Sequence, residues 1–369
     1  MQASPNPGGE NWRHRNMGRF LVRTLLSGVV LATGCTGPAI DELLPPFRSE
    51  LLRLATAAER DERFAVRGVD EWLFLGSELR HLSVGRFWGA DATTVSRARR
   101  LDDADPIPAI LDFKRQLDVL GIELLLVPVP PKATIFPEKI SNAFTIPIPV
   151  PRLDPDHQDF YDQLRSDGID ILDLTDLFLR ERFHPEGPLY CRTDTHWSGT
   201  GCTTAAIAIA EAIRTRAWFA EINTQRFGAA WYSTMITGDL TREGGVPGPR
   251  EEVRLRGIIT GTNSERAPVV PDPTSPIVLL GDSHNLVFHA GDDMHAAGAG
   301  LPDQLAFELG LSLDVVAVRG SGATPARVNL LRRAQTNPDY WSQKRLVIWC
   351  FAARELTESD GWRAVPLTP

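Results

Sequence analysis

The chain is poor in cysteine, in lysine and in long apolar runs. Four cysteines in 369 residues exclude a disulfide-stapled scaffold. The absence of a CxxC pair leaves no zinc-site spacing. Of 39 basic residues only Lys114, Lys132, Lys139 and Lys344 are lysine, leaving 35 arginines. Acids outnumber bases, with a net charge of −8 and a pI of about 5.6, so there is no basic footprint for nucleic acid. No apolar run approaches the ~20 residues of a membrane-spanning helix. Internal repeats and low-complexity tracts are lacking too. What is present is an ordinary globular balance: 43% hydrophobic, 23% charged, mean hydropathy −0.15. The length suits one large α/β domain or two small ones.

The amino terminus has the layout of an export signal. Arg13, Arg15, Arg19 and Arg23 precede the short apolar run Leu25–Ala32, and then Thr33-Gly34-Cys35. Residues 1–34 are therefore expected to be a signal peptide or membrane anchor. Ala-Thr-Gly-Cys resembles a bacterial lipobox, with Ala32 where leucine is usual, which makes Cys35 the lipidation candidate. Residues 35–62 read as a leader or linker helix and 63–369 as the working domain. Export places Cys191, Cys202 and Cys350 where disulfides are allowed. Three is an odd number, so at least one stays unpaired; Cys191–Cys202 is one candidate bridge, and three buried thiols are the alternative.

Within the domain, apolar runs alternate with helical spacing. The spacing predicts helices over 40–60, 106–121, 156–166, 175–182, 198–216, 304–310 and 325–334. Strands are expected over 122–129, 169–172, 276–280, 313–318 and 345–351, each nearly all apolar. Residues 218–275 read as an irregular insert with some strand. Strands alternating with helices imply a mainly parallel sheet covered on both faces.

Two segments sit where such sheets do chemistry. Leu279-Leu-Gly-Asp-Ser-His284 directly follows a buried strand, and ligands bind beyond the carboxyl ends of strands in open α/β sheets. Ser283 in a tight turn offers a hydroxyl nucleophile and its own N–H. The alternative is a plain turn that caps the next helix. Tyr190-Cys-Arg-Thr-Asp-Thr-His-Trp-Ser198 puts Asp194 and His196 two apart before a helix capped by Ser198. An imidazole can take a hydroxyl proton near neutral pH, and a carboxylate beside it fixes the tautomer. A capping aspartate with a surface histidine is the alternative. Serine, histidine and aspartate in separate loops at one sheet edge point to a hydrolase or acyltransferase.

These segments resemble, in order along the chain, the alginate O-acetyltransferase family of AlgJ and AlgX, with its SGNH-hydrolase-like domain. The matching blocks are Gly68–Leu75, Leu124–Pro137, Thr193–Gly201, Gly238–Leu240, Leu279–Ser283 and Ile348–Leu356, within roughly 63–360. The resemblance implies an α/β three-layer sandwich with circularly permuted motif order, since Asp-x-His precedes the serine block. It implies Ser283 as nucleophile, His196 as base and Asp194 as its orienting acid; no cofactor and no metal are expected. The implied reaction moves acetyl groups onto an exported polysaccharide acceptor through an acetyl-serine, in the periplasm or cell envelope. The donor would be supplied by a membrane acyltransferase partner, and the N-terminus would provide any membrane association. A carbohydrate acetylesterase with the same triad is the alternative, and a non-catalytic polysaccharide-binding or assembly protein a third.

Other candidates are less anchored. Gly320 and Asn285 are possible oxyanion donors beside the Ser283 N–H. Arg319 and Arg354, at strand ends, are candidates for substrate or oxyanion contact, with surface charge and an ion pair to Glu355 as the alternatives. Lys132 ends a strand and is a possible cleft residue. Trp197, beside the base, is the tryptophan expected near the cleft; Trp72, Trp88, Trp218 and Trp231 suit core packing. His284 is a competing base, expected to point away. His289 and His295 share a loop that supplies too few converging ligands for a metal.

Overall fold

The computed structural model describes residues 39–260 and 267–367. The signal, the anchor and Cys35 lie outside these residues. Among the described residues no helix is long and apolar enough to cross a membrane.

Five strands make the central sheet: β1 (Glu123–Val129), β2 (Asp170–Ile171), β3 (Ile277–Gly281), β4 (Asp314–Ala317) and β5 (Leu346–Ala352). They run parallel in the order β4-β3-β5-β1-β2. The continuous apolar runs split by alternation onto two faces, because successive side chains leave a strand on opposite sides. Leu125, Val127, Leu279, Ile348 and Cys350 enter one core, while Leu124, Leu126, Leu280, Val347 and Trp349 enter the other. Both faces are therefore covered, as an all-parallel sheet requires.

The first face is packed by α1 (Ile40–Arg60), α4 (Gly199–Arg214) and α5 (Leu301–Leu309). The second is packed by α2 (Pro106–Val119), α3 (Pro155–Ser166) and α6 (Thr324–Gln335). The result is the three-layer α/β sandwich expected. Helix α2 starts at Asp105, whose carboxylate accepts the Ile107 N–H. Helix α4 starts at Ser198, whose hydroxyl accepts the Gly201 N–H at 3.2 Å.

Three of these readings change in the structure. The helix over 40–60 forms, yet it is no linker: Leu43, Phe47, Leu51, Ala55 and Ala58 are buried in the first core. The stretch 218–275 is more ordered than its sequence suggests. Gly228–Ile236 pairs antiparallel with Glu251–Thr260, and Ala267–Pro268 adds a short third strand. Only one side is apolar: Val253, Leu255 and Ile258 face the core while the first of these strands is mostly exposed, which hides the alternation. Cys191, Cys202 and Cys350 are free, buried thiols, so the 191–202 bridge is not formed.

Candidate active site

The site grows from the carboxyl ends of β3 and β5. Gly281, the last residue of β3, leaves no room for a side chain: a Cβ there would stand 1.7 Å from the Cys350 carbonyl oxygen. That close approach lets the chain turn at once. Asp282 fixes the turn by accepting the His284 N–H at 2.9 Å and the Ala352 N–H at 2.7 Å. Burial alone would raise its pKa, but His284, Arg354 and the Ala352 N–H hold the carboxyl below its ordinary range. Ser283 is left at the mouth of a cavity of about 300 Å³. Its own N–H makes no hydrogen bond among the described residues.

The loop carrying Asp194 and His196 is held from beneath by buried charge. Lys132 Nζ donates to the carbonyls of Leu73, Arg192 and Asp194 at 2.6, 3.0 and 3.1 Å. Lys132 therefore lies under the loop rather than in the cleft. The Glu251 carboxylate accepts the N–H groups of Arg192 and Thr193 and the Thr193 hydroxyl, at 2.6–2.8 Å. Gly238 packs so close that a Cβ would meet the Thr193 carbonyl oxygen at 2.0 Å.

On this frame the three expected side chains come together. His196 Nδ1 donates to Asp194 Oδ1 at 2.6 Å. A carboxylate can only accept, so Nδ1 carries the proton and Nε2 is the free acceptor. Nε2 is 2.7 Å from Ser283 Oγ. Burial pushes the His196 pKa down, but Asp194 and Asp239 more than offset it, and the net shift is upward. Burial pushes Asp194 up, yet His196 and His295 leave it lowered overall. The arrangement can accept a hydroxyl proton and hold the resulting imidazolium against an ionised carboxylate.

The remaining candidates divide. Gly320, Arg319 and Arg354 line the same cavity as Ser283. Arg354 is 9% exposed; among the described residues its Nη1 has no hydrogen-bond partner, and the alternative of an ion pair to Glu355 is not formed. Arg319 is paired with Asp293 at 2.6 Å, on the exposed rim. Asn285 is no oxyanion donor: its amide donates to the carbonyls of Cys350 and Asp282, at 2.8 and 3.2 Å. Trp197 is fully buried and donates to the His284 carbonyl at 3.0 Å, so it does not face the cleft. Among the described residues His284 makes no hydrogen bond to the Ser283 hydroxyl. Its Nδ1 lies 3.1 Å from Asp282, and burial lowers its pKa to about 4.

Two residues escaped the sequence reading. His295 Nε2 is 2.8 Å from Asp194 Oδ2, and the Asp239 N–H donates to that same oxygen at 2.8 Å. The sequence places Asp239 only within the Gly238–Leu240 block and His295 on the loop it shares with His289. Spacing carries no signal that joins either to Asp194. Asp194, His196 and Asp239 also place ligand atoms within 4.8 Å of one another. One oxygen of Asp194 and Nδ1 of His196 are already spent on each other, which argues against a metal. A larger cavity, about 600 Å³, lies behind the Tyr190–Ser198 segment between Trp72, Phe183 and Arg254; no triad side chain lines it.

A family model described as SGNH hydrolase-like domain, acetyltransferase AlgX, matches residues 65–353. A probable alginate O-acetylase AlgJ of Pseudomonas aeruginosa is 30% identical over 149 residues, 40% of this chain. That match spans a third (33%) of the relative's length. The probable alginate O-acetylase AlgJ of Pseudomonas syringae pv. tomato is 25% identical over 300 residues, 79% of this chain and 68% of the relative. Among solved structures, the O-acetyltransferase domain of Pseudomonas putida AlgJ aligns with a TM-score of 0.56 and 21% identity, covering 80% of this chain and 92% of that one. Pseudomonas aeruginosa AlgX aligns with a TM-score of 0.54 and 20% identity, covering 78% and 62%. The structural likenesses establish the fold.

Proposed function

Because the chain belongs to the SGNH hydrolase-like, AlgX-type acetyltransferase family, we propose that it transfers acetyl groups to hydroxyls of an exported polysaccharide, with Ser283 as the acetyl carrier. The observation that carries this reading is His196 bridging Ser283 Oγ and the Asp194 carboxylate at 2.7 and 2.6 Å.

In the first half-reaction Ser283 Oγ attacks the donor's acetyl carbonyl while His196 Nε2 takes its proton. Collapse of the tetrahedral intermediate returns that proton to the leaving group and leaves acetyl-Ser283. In the second half-reaction an acceptor sugar hydroxyl gives its proton to His196 and attacks the acetyl carbon; collapse expels Ser283 Oγ, which takes that proton back from His196. The Ser283 N–H, which has no hydrogen-bond partner among the described residues, is the oxyanion donor of this reading, with Arg354 and Gly320 lining the same wall. The reading includes export to the cell envelope, with acetyl groups delivered by a membrane acyltransferase. An acetylesterase would share every step except the final acceptor.

The test uses purified protein, an activated aryl acetate and a panel of neutral and uronate oligosaccharides, with sugar mass and acetate release followed together. The expected result is acetylated sugar in the parent and none with Ser283→Ala. Acetate release alone, with every acceptor present, would favour the esterase. Equal turnover by Ser283→Ala and the parent would sink the triad.

A further inference from the structure

Resting on Ser283, His196 and Asp194 acting as one relay, the geometry points to His295 as a positioning residue that locks the second oxygen of Asp194 and ties the strap after the nucleophile to the acid's loop. The Asp194 carboxylate is saturated from two sides. Oδ1 accepts the His196 Nδ1–H at 2.6 Å and the His196 backbone N–H at 3.0 Å. Oδ2 accepts the Asp239 N–H and the His295 Nε2–H, each at 2.8 Å. Since the carboxylate only accepts, His295 must carry its proton on Nε2. A carboxylate gripped by one oxygen can swing about its last torsion. Gripped by both, it presents a fixed lone pair to His196.

His295 comes from a strap that leaves the Ser283 turn directly. Three non-glycine residues there adopt left-handed backbone: Phe288 at φ 59°, Asp292 at φ 47° and His295 at φ 72°. Such conformations persist where surrounding contacts over-determine them, and they cluster at functional sites. The contacts are present. Phe288 N–H donates to Met294 at 2.9 Å, Gly291 N–H to Ala296 at 2.9 Å, and Ala299 N–H to Phe288 at 2.8 Å. The His295 ring also packs on Phe288, with centroids 5.9 Å apart. The strap thus aims one imidazole at one carboxylate oxygen.

The test compares the parent with His295→Leu, His295→Gln and Ser283→Ala on para-nitrophenyl acetate, across pH. His295→Leu removes the donor, and misplacing the relay should lower kcat by up to about a hundredfold, with KM near the parent's. His295→Gln, whose amide reaches the same oxygen, should recover most of kcat. The acid limb of the His295→Leu profile should move to higher pH. Without the His295 donor, Asp194 keeps more of its charge for His196. The other groups facing His196, namely Asp239, Arg354 and His284, are untouched by either variant. A histidine that merely supported the fold would lower the melting temperature and leave the limb in place. A folded His295→Leu with the parent's kcat and pH profile would overturn the proposal, as would a folded His295→Gln as slow as His295→Leu. Should His295→Leu fail to fold, His295→Gln still decides between them. Activity surviving Ser283→Ala would instead overturn the nucleophile itself. An inactive Ser283→Ala beside an unaltered His295→Leu would overturn only the positioning role.

Discussion

At the scale of single residues, the base works only when His196 Nε2 is unprotonated. Asp194 and Asp239 raise the His196 pKa above its ordinary value of 6.5, against the pull of burial. Turnover of an activated ester should therefore fall as pH drops through a limb centred above 6.5. A limb below that value would mean that another base is at work. Asp194→Asn keeps the shape but loses the charge and the tautomer control, so kcat should drop by roughly a thousandfold or more, measured at the pH optimum. Lys132 makes a different prediction. It satisfies three carbonyls with one buried ammonium, and Lys132→Met should destabilise the fold by roughly 2–4 kcal/mol in a urea titration. An unchanged midpoint would contradict its scaffolding role. Residue chemistry was legible where it was local: Asp-x-His and Gly-Asp-Ser each sit in one short loop. Asn285 misleads for the same reason. It adjoins the nucleophile in sequence, but the turn aims its amide at the Cys350 carbonyl.

At the scale of elements, the turn after β5 brings Arg354 to the site and buries Glu355 beside it in sequence, bonded to Ser321. Burial raises the Glu355 pKa to about 7, against an ordinary value of 4.5, despite the lowering effect of Arg354. Between those values the folded chain holds a proton that the unfolded chain releases. Stability is therefore lost as pH rises from 4.5 towards 7. Glu355→Gln keeps an acceptor for Ser321 and cannot ionise. It should be more stable than the parent at pH 8, by roughly 3 kcal/mol at most, and nearly equal to it at pH 5. Thermal melts at the two pH values check this, and the same difference at both would contradict it. Sheet strands were legible as unbroken apolar runs because they are buried on both faces. The Gly228–Ile236 and Glu251–Thr260 ribbon was not, because one of its strands exposes nearly all its side chains. Trp197 went the same way: its neighbourhood in sequence pointed to the cleft, while its bridge to Tyr190, just ahead of helix α4, leaves its ring buried in the core.

At the scale of the whole molecule, helix α1 belongs to the folded body. Its apolar face fills the first core, so a chain beginning at residue 63 would expose Leu79, Leu82 and their neighbours. A protein starting at residue 39 should melt cooperatively, whereas one starting at 63 should be aggregated or unfolded; equal melting of the two would contradict this. The long-range contacts that complete the site, His295 and Asp239 on Asp194, could not be read from spacing, because only the closed fold brings residues 194, 239 and 295 to one carboxylate. The central claim is that Ser283 carries the acetyl group between donor and sugar. The most direct measurement is peptide mass spectrometry of protein quenched during turnover of an aryl acetate, with and without acceptor oligosaccharide. The account predicts an acetyl group on the peptide containing Ser283, discharged when acceptor is added and absent from Ser283→Ala. An acetyl group on another residue that is discharged by acceptor at the rate of turnover would contradict it.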